Sequence, residues 1–237
     1  MIAEERLAFL GAAACFAAGH ASGHRLSWYA ETAEHAIMDP NARVAAGNRS
    51  MARAAHYKTL YEALEALPEG LTGEILHGQL HTQPRPAPRH GVAASNLGAE
   101  LIGPYSRGRG GPGGWWVIDE PELHFVRDTE VLVPDLAGWR RERMLEIPRE
   151  QRFEVMPDWI CEILSPATRS KDREIKMPLY ARYGVADAWL IDPDAQTLEA
   201  YELRGTQWAQ LAAYGADDTV VAAPFEAAAF RVADLWS

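Results

Sequence analysis

Residues 157–193 read PDWICEILSPATRSKDREIKMPLYARYGVADAWLIDP. The run from Trp159 to Leu164 is apolar except for Glu162, and a short apolar run bounded by turn residues reads as a buried strand. Ser165-Pro166 breaks it. A helical stretch then ends near Tyr183-Gly184, and AWLID (188–192) forms a second strand closed by Pro193-Asp194. This strand, helix, strand order predicts an α/β fold, a sheet with helices before and within the strand series.

The flanking sequence extends the pattern on both sides. Tyr57, Leu60, Tyr61, Leu64 and Leu67 recur at helical spacing, and Pro68 with Gly70 ends the helix. TGEILHGQLHTQ alternates about Gly78 and reads as a hairpin carrying Glu74 on its first strand. His90 to Tyr105 reads as a second helix with Val92, Leu97 and Leu101 on its apolar face. The glycine-rich stretch 108–114 lacks the Lys-Ser/Thr of a phosphate-binding P-loop and is read as a loop. Strands are expected at Trp115 to Ile118, Glu130 to Asp135 and Trp159 to Leu164, with a long Arg- and Glu-rich connection over 139–157. TLEAYEL (197–203) and WAQLAAY (208–214) complete the strand series.

With 237 residues, 48% of them apolar, the chain can bury one substantial core. One folded domain is expected, over 51–237, preceded by an appended extension over 1–50, disordered or ahead of the true start. The alanine-rich start reads either as a secretory signal or as sequence ahead of a true start at Met51; Glu4 and Glu5 beside Arg6 spoil the positive end a signal needs, which favours the second. Cys15 and Cys161 offer neither a disulfide framework nor a thiolate metal site, so a reducing compartment, the cytoplasm, is expected. The formal charge of -10 argues against a broad electrostatic grip on nucleic acid. Most of the acid excess lies in 185–237, where only Arg204 and Arg231 oppose it, while Arg107/Arg109, Arg140/Arg141/Arg143 and Arg169/Lys171/Arg173/Lys176 form local basic groups able to line a groove.

Two acids sit where a core strand should be apolar. EVLVPDL ends its apolar run on Asp135, and Glu162 interrupts another. Burying an unpaired carboxylate is costly, so each needs a cation, a donor network or a metal. Two such acids at one end of a sheet offer the hard oxygen ligands that suit Mg²⁺. Metal-assisted hydrolysis then needs a cation near the attacking water. Asp172, Lys176 and Tyr180 are spaced by four and share a face if the segment is helical throughout, although Pro178 demands a kink or a helix start there.

The quoted stretch resembles the signature of the Uma-two family, a branch of the PD-(D/E)xK nuclease superfamily. The resemblance runs from about Tyr57 to the C-terminus and takes in GEILHGQL and His90. It implies a restriction-endonuclease-like core, a mixed central β-sheet flanked by helices with additional hairpins. It also implies Mg²⁺- or Mn²⁺-dependent cleavage of DNA, with Asp135 and Glu162 binding metal beside the backbone carbonyl of Ile163. The simple motif keeps its lysine two positions after the second acid, where this chain has Leu164; Lys176, from the following helix, matches the displaced lysine. Glu74 matches an upstream acid that completes the metal shell or orients water. His90, Ser165 and Asp172 are supporting positions, and Tyr180, Tyr183, Trp189 and Ile191 are read as core packing. The rival expectation is a nuclease-fold module that binds nucleic acid or protein without cutting, since fold alone does not establish activity. Double-strand cleavage with one site per chain would suggest a homodimer.

Overall fold

The structure, a computed structural model, describes residues 59–237. The expected extension over 1–50, and Tyr57 at the head of the first helical pattern, lie outside the described residues. Helix α1 (Leu60–Glu65) opens with a capping box: the Thr59 hydroxyl accepts the Glu62 N–H and the Glu62 carboxylate accepts the Thr59 N–H. Strands β1 (Leu71–Leu76) and β2 (Gln79–Pro84) form the expected hairpin. Its two-residue turn places His77 and Gly78 at positive φ, as a type I′ connection requires. Helix α2 (Pro88–Leu101) starts with proline in its first turn, where no N–H is missed, and runs on as a π-helical turn over Ile102–Ser106.

Strands β3 (Trp115–Asp119), β4 (Glu122–Val126), β5 (Glu130–Leu132), β6 (Leu136–Arg140), β7 (Arg152–Phe153) and β8 (Trp159–Ile163) follow. The sequence reading missed β4, β6 and β7, ending a strand at Asp135 and starting the long connection inside β6. Next come α3 (Arg169–Lys171), a π-helical turn over Asp172–Lys176, and α4 (Met177–Arg182). Pro178 sits in the first turn of α4, and the Met177 N–H reaches back to the Asp172 carbonyl, so the wide turn absorbs the proline without breaking the helical path. Strands β9 (Asp187–Asp192), β10 (Thr197–Arg204) and β11 (Gln207–Tyr214), the short pair β12 (Thr219–Val220) and β13 (Phe230–Arg231), and a 3₁₀ turn over Val232–Trp236 complete the described chain.

The strands make two larger sheets, both mixed. One has the order β2-β1-β5-β4-β7, with β4 and β7 parallel; the other has the order β11-β10-β9-β8-β6-β3, with β8 and β9 parallel. On the six-stranded sheet, Trp159, Cys161 and Ile163 turn towards a core shared with α2, where Trp115, Trp189 and Phe225 gather. The alternate residues Ile160 and Leu164 join a second core with Leu76, Leu123 and Leu132 of the other sheet and Leu179 and Tyr180 of α4. Glu162 lies between Ile160 and Leu164, so the two-residue period of the strand turns it to that same second face. Glu74 likewise falls two residues from Leu76 on β1. Both acids therefore point into the apolar layer between the sheets.

Candidate active site

Glu74 and Glu162 are 3% and 2% exposed, and an uncompensated carboxylate at such depth costs several kcal/mol. The fold supplies the compensation from the helical segment. The Lys176 ammonium, 3% exposed, lies 2.7 Å from Glu74 Oε1 and 2.7 Å from Glu162 Oε1, and donates to the Val133 carbonyl at 2.9 Å. Tyr180 donates its hydroxyl to Glu162 Oε1 at 2.6 Å. Glu74 Oε1 also accepts the Val133 N–H at 3.0 Å, and Glu74 Oε2 receives the Lys171 ammonium at 2.6 Å. Lys171 in turn donates to Gln83 Oε1 on β2.

Asp135 lies in the bend between β5 and β6. Leu136 pairs with Cys161 at the end of the antiparallel β6–β8 ladder, so the next residues of the two segments, Asp135 and Glu162, come opposite each other. Asp135 Oδ2 accepts the Ile163 N–H at 2.6 Å, and Oδ1 faces His90 Nε2 at 3.1 Å. Asp172 is buried, accepts a bond from the Thr168 side chain and acts on Lys176 through space. Ser165 closes the turn ahead of α3: its Oγ accepts the Thr168 N–H at 3.2 Å and meets Thr168 Oγ1 at 3.0 Å.

These contacts set the charges. Burial pushes the Glu162 carboxyl well above the usual carboxylate range; Lys176 opposes this, while Asp172, Asp135 and Glu74 reinforce it. Glu74 is buried as deeply, yet Lys176 and Lys171 together outweigh burial and hold it below the usual range. Burial alone would strip the proton from Lys176, but Glu162, Glu74, Asp172 and Asp135 overcome it and raise the ammonium above the ordinary lysine value. His90 is raised in the same way, its burial outweighed by Asp135, Glu120 and Asp172.

The structure therefore brings Glu74, Asp135, Glu162, Asp172, Lys176 and His90 into one cluster. Ser165 stays at its edge, in the turn ahead of α3. Lys171 is an addition: the sequence reading placed it, with Arg169 and Arg173, in a basic group able to line a groove. All three are engaged within the protein, Arg169 with Asp192 at 2.7 Å and Arg173 by a two-pronged bond to Glu199 at 2.9 and 3.0 Å. Tyr180 packs the core as expected, but its hydroxyl also contacts Glu162. Among the described residues, no three His, Cys, Asp or Glu side chains already converge as a metal cage, because ammonium groups lie between the acids. The donor set nonetheless suits a hard divalent ion. Glu162, whose carboxyl burial raises despite Lys176, lies beside Asp135, and the two offer oxygen ligands from neighbouring segments.

A mixed α/β fold with acids projecting from adjacent strands and a lysine from the following helix defines a restriction-endonuclease-like protein. The sequence profile of the Uma2 family, described as "Putative restriction endonuclease", matches residues 59–233. The chain belongs to that family. A solved structure described as "a putative nuclease belonging to DUF820 from Anabaena variabilis ATCC 29413" is similar, with a TM-score of 0.60 and 23% identity over 76% of this chain and 98% of that one. No curated protein matches. Among the described residues, no helix is long and apolar enough to cross a membrane.

Proposed function

We propose that this protein is a divalent-metal-dependent endonuclease that hydrolyses DNA phosphodiester bonds in the cytoplasm. The observation that carries the reading is the buried Lys176 ammonium, held 2.7 Å from Glu162 beside Asp135, which contacts the strand of Glu162 through the Ile163 N–H. Asp135 and Glu162, with the Ile163 carbonyl, would hold Mg²⁺ or Mn²⁺. Such an ion, when bound, polarises a phosphate oxygen and lowers the pKa of a water.

The chain's own residues do the rest. Lys176 keeps its proton, so it serves as a fixed cation and hydrogen-bond donor that orients water and offsets charge on the phosphate. Tyr180 holds Glu162 by one oxygen, Oε1. The peptide N–H of Ile163 fixes the rotamer of Asp135, and His90 closes its other side. The inward pairing of Lys171, Arg169 and Arg173 favours a second reading, a module that binds without cutting, because it leaves fewer cations at the site to grip a phosphate backbone. Plasmid nicking with and without EDTA, comparing the intact chain with Glu162→Ala, separates the two. Metal-dependent nicking lost in the variant supports the nuclease, and no nicking with any divalent ion supports the binding module.

A further inference from the structure

Resting on the nuclease reading of this site, we infer that Glu74 is a positioning residue: it seats the Lys176 ammonium and neither ligates the cation nor meets the substrate. Both of its oxygens are already committed. Oε1 serves Lys176 at 2.7 Å and the Val133 N–H at 3.0 Å, while Oε2 serves Lys171 at 2.6 Å. Lys176 completes the ring by donating to the carbonyl of the same Val133, so carboxylate and ammonium clasp one residue's backbone between them.

The seat is anchored from the hairpin. Gln83 lies opposite Thr72, two residues from Glu74 and therefore on the same face of β1–β2, and its Oε1 fixes Lys171 at 2.5 Å. Lys171 in turn holds Glu74 from the side away from Lys176. Asp135 contrasts with this arrangement: its side chain is 15% exposed, against 4% for Glu74, and among the described residues it contacts no lysine within ion-pair distance. An acid that two ammonium groups already compensate gains little from a divalent ion, whereas Asp135 and Glu162 gain much.

The test combines three readouts on the full chain: Mn²⁺ affinity by calorimetry, acetylation of lysines by an amine-reactive reagent read by mass spectrometry, and plasmid nicking. Glu74→Gln should leave Mn²⁺ affinity near that of the intact chain, expose Lys176 to acetylation, and lower kcat roughly 10- to 100-fold at unchanged KM, the usual cost of losing a supporting partner. Glu74→Asp keeps the charge but shortens the reach, so it should fold and still expose Lys176. Loss of Mn²⁺ binding in Glu74→Gln comparable to that in Glu162→Gln would make Glu74 a ligand and overturn the inference. Lys176 staying protected in both Glu74 variants would overturn it equally. An intact chain that binds no Mn²⁺ refutes the metal reading instead, and the acetylation arms still decide the role of Glu74.

Discussion

Replacing Lys176 by methionine keeps the length of the side chain and removes only its charge and donors. Lys176 is 3% exposed and is shared by two carboxylates at 2.7 Å, so Lys176→Met strands buried acids. Breaking a buried ion pair in this way costs about 3–5 kcal/mol. At about 2–4 °C per kcal/mol for a domain of this size, the melting temperature should fall by roughly 6–20 °C. The deficit should depend on pH. A lysine raised in the fold gives stability that is complete below its unfolded value, so wild type loses none of this contribution between pH 5 and 8. In the variant the acids are left without their cation, and Glu162, already raised, takes up a proton in the fold; its stabilisation is present at low pH and lost as pH rises. Urea unfolding should therefore show a larger deficit at pH 8 than at pH 5. Equal stability of variant and wild type at both pH values would refute the neutralising role of Lys176.

Asp135→Asn should weaken Mn²⁺ binding without unfolding the chain, because the amide oxygen can still accept the Ile163 N–H; unchanged affinity by calorimetry would remove Asp135 from the ion's ligands. Because burial raises the Glu162 carboxyl above the usual carboxylate range, Mg²⁺ or Mn²⁺ affinity should tighten as pH rises, with any proton release measurable in buffers of different ionisation enthalpy. Gly138→Ala should destabilise the fold by about 1–3 kcal/mol in urea melts, since its Cβ would press on the rings of Trp159 at 3.2 Å and Trp115 at 3.3 Å.

The elements whose signals are local were legible in the sequence. The hairpin about Gly78 announces itself by alternation around a turn, and Glu162 by a charge inside an apolar run. Lys176 and Tyr180 follow from spacing on a helical face. Lys171 does not, because residues five apart fall on different faces of a helix with about 3.6 residues per turn. The π-helical turn over Asp172–Lys176 changes that register, and nothing in the local pattern beyond Pro178 hints at it. The partner of Lys171, Gln83, lies on a different sheet-forming segment, so only the tertiary fold joins them. Strand β6 was obscured because Pro134 and Asp135 look like a terminus, although the chain re-enters a sheet at the next residue. Strand β4 carries His124 and Glu122 towards Tyr61, and these paired polar residues break the apolar signal of a strand.

The most direct measurement of the proposed chemistry is single-turnover nicking of supercoiled plasmid by the intact chain and by Lys176→Ala, with Mn²⁺ occupancy of each measured in parallel. The proposed site predicts metal-dependent nicking by the intact chain and none by the variant at matched occupancy. Nicking by Lys176→Ala at the wild-type rate would contradict it.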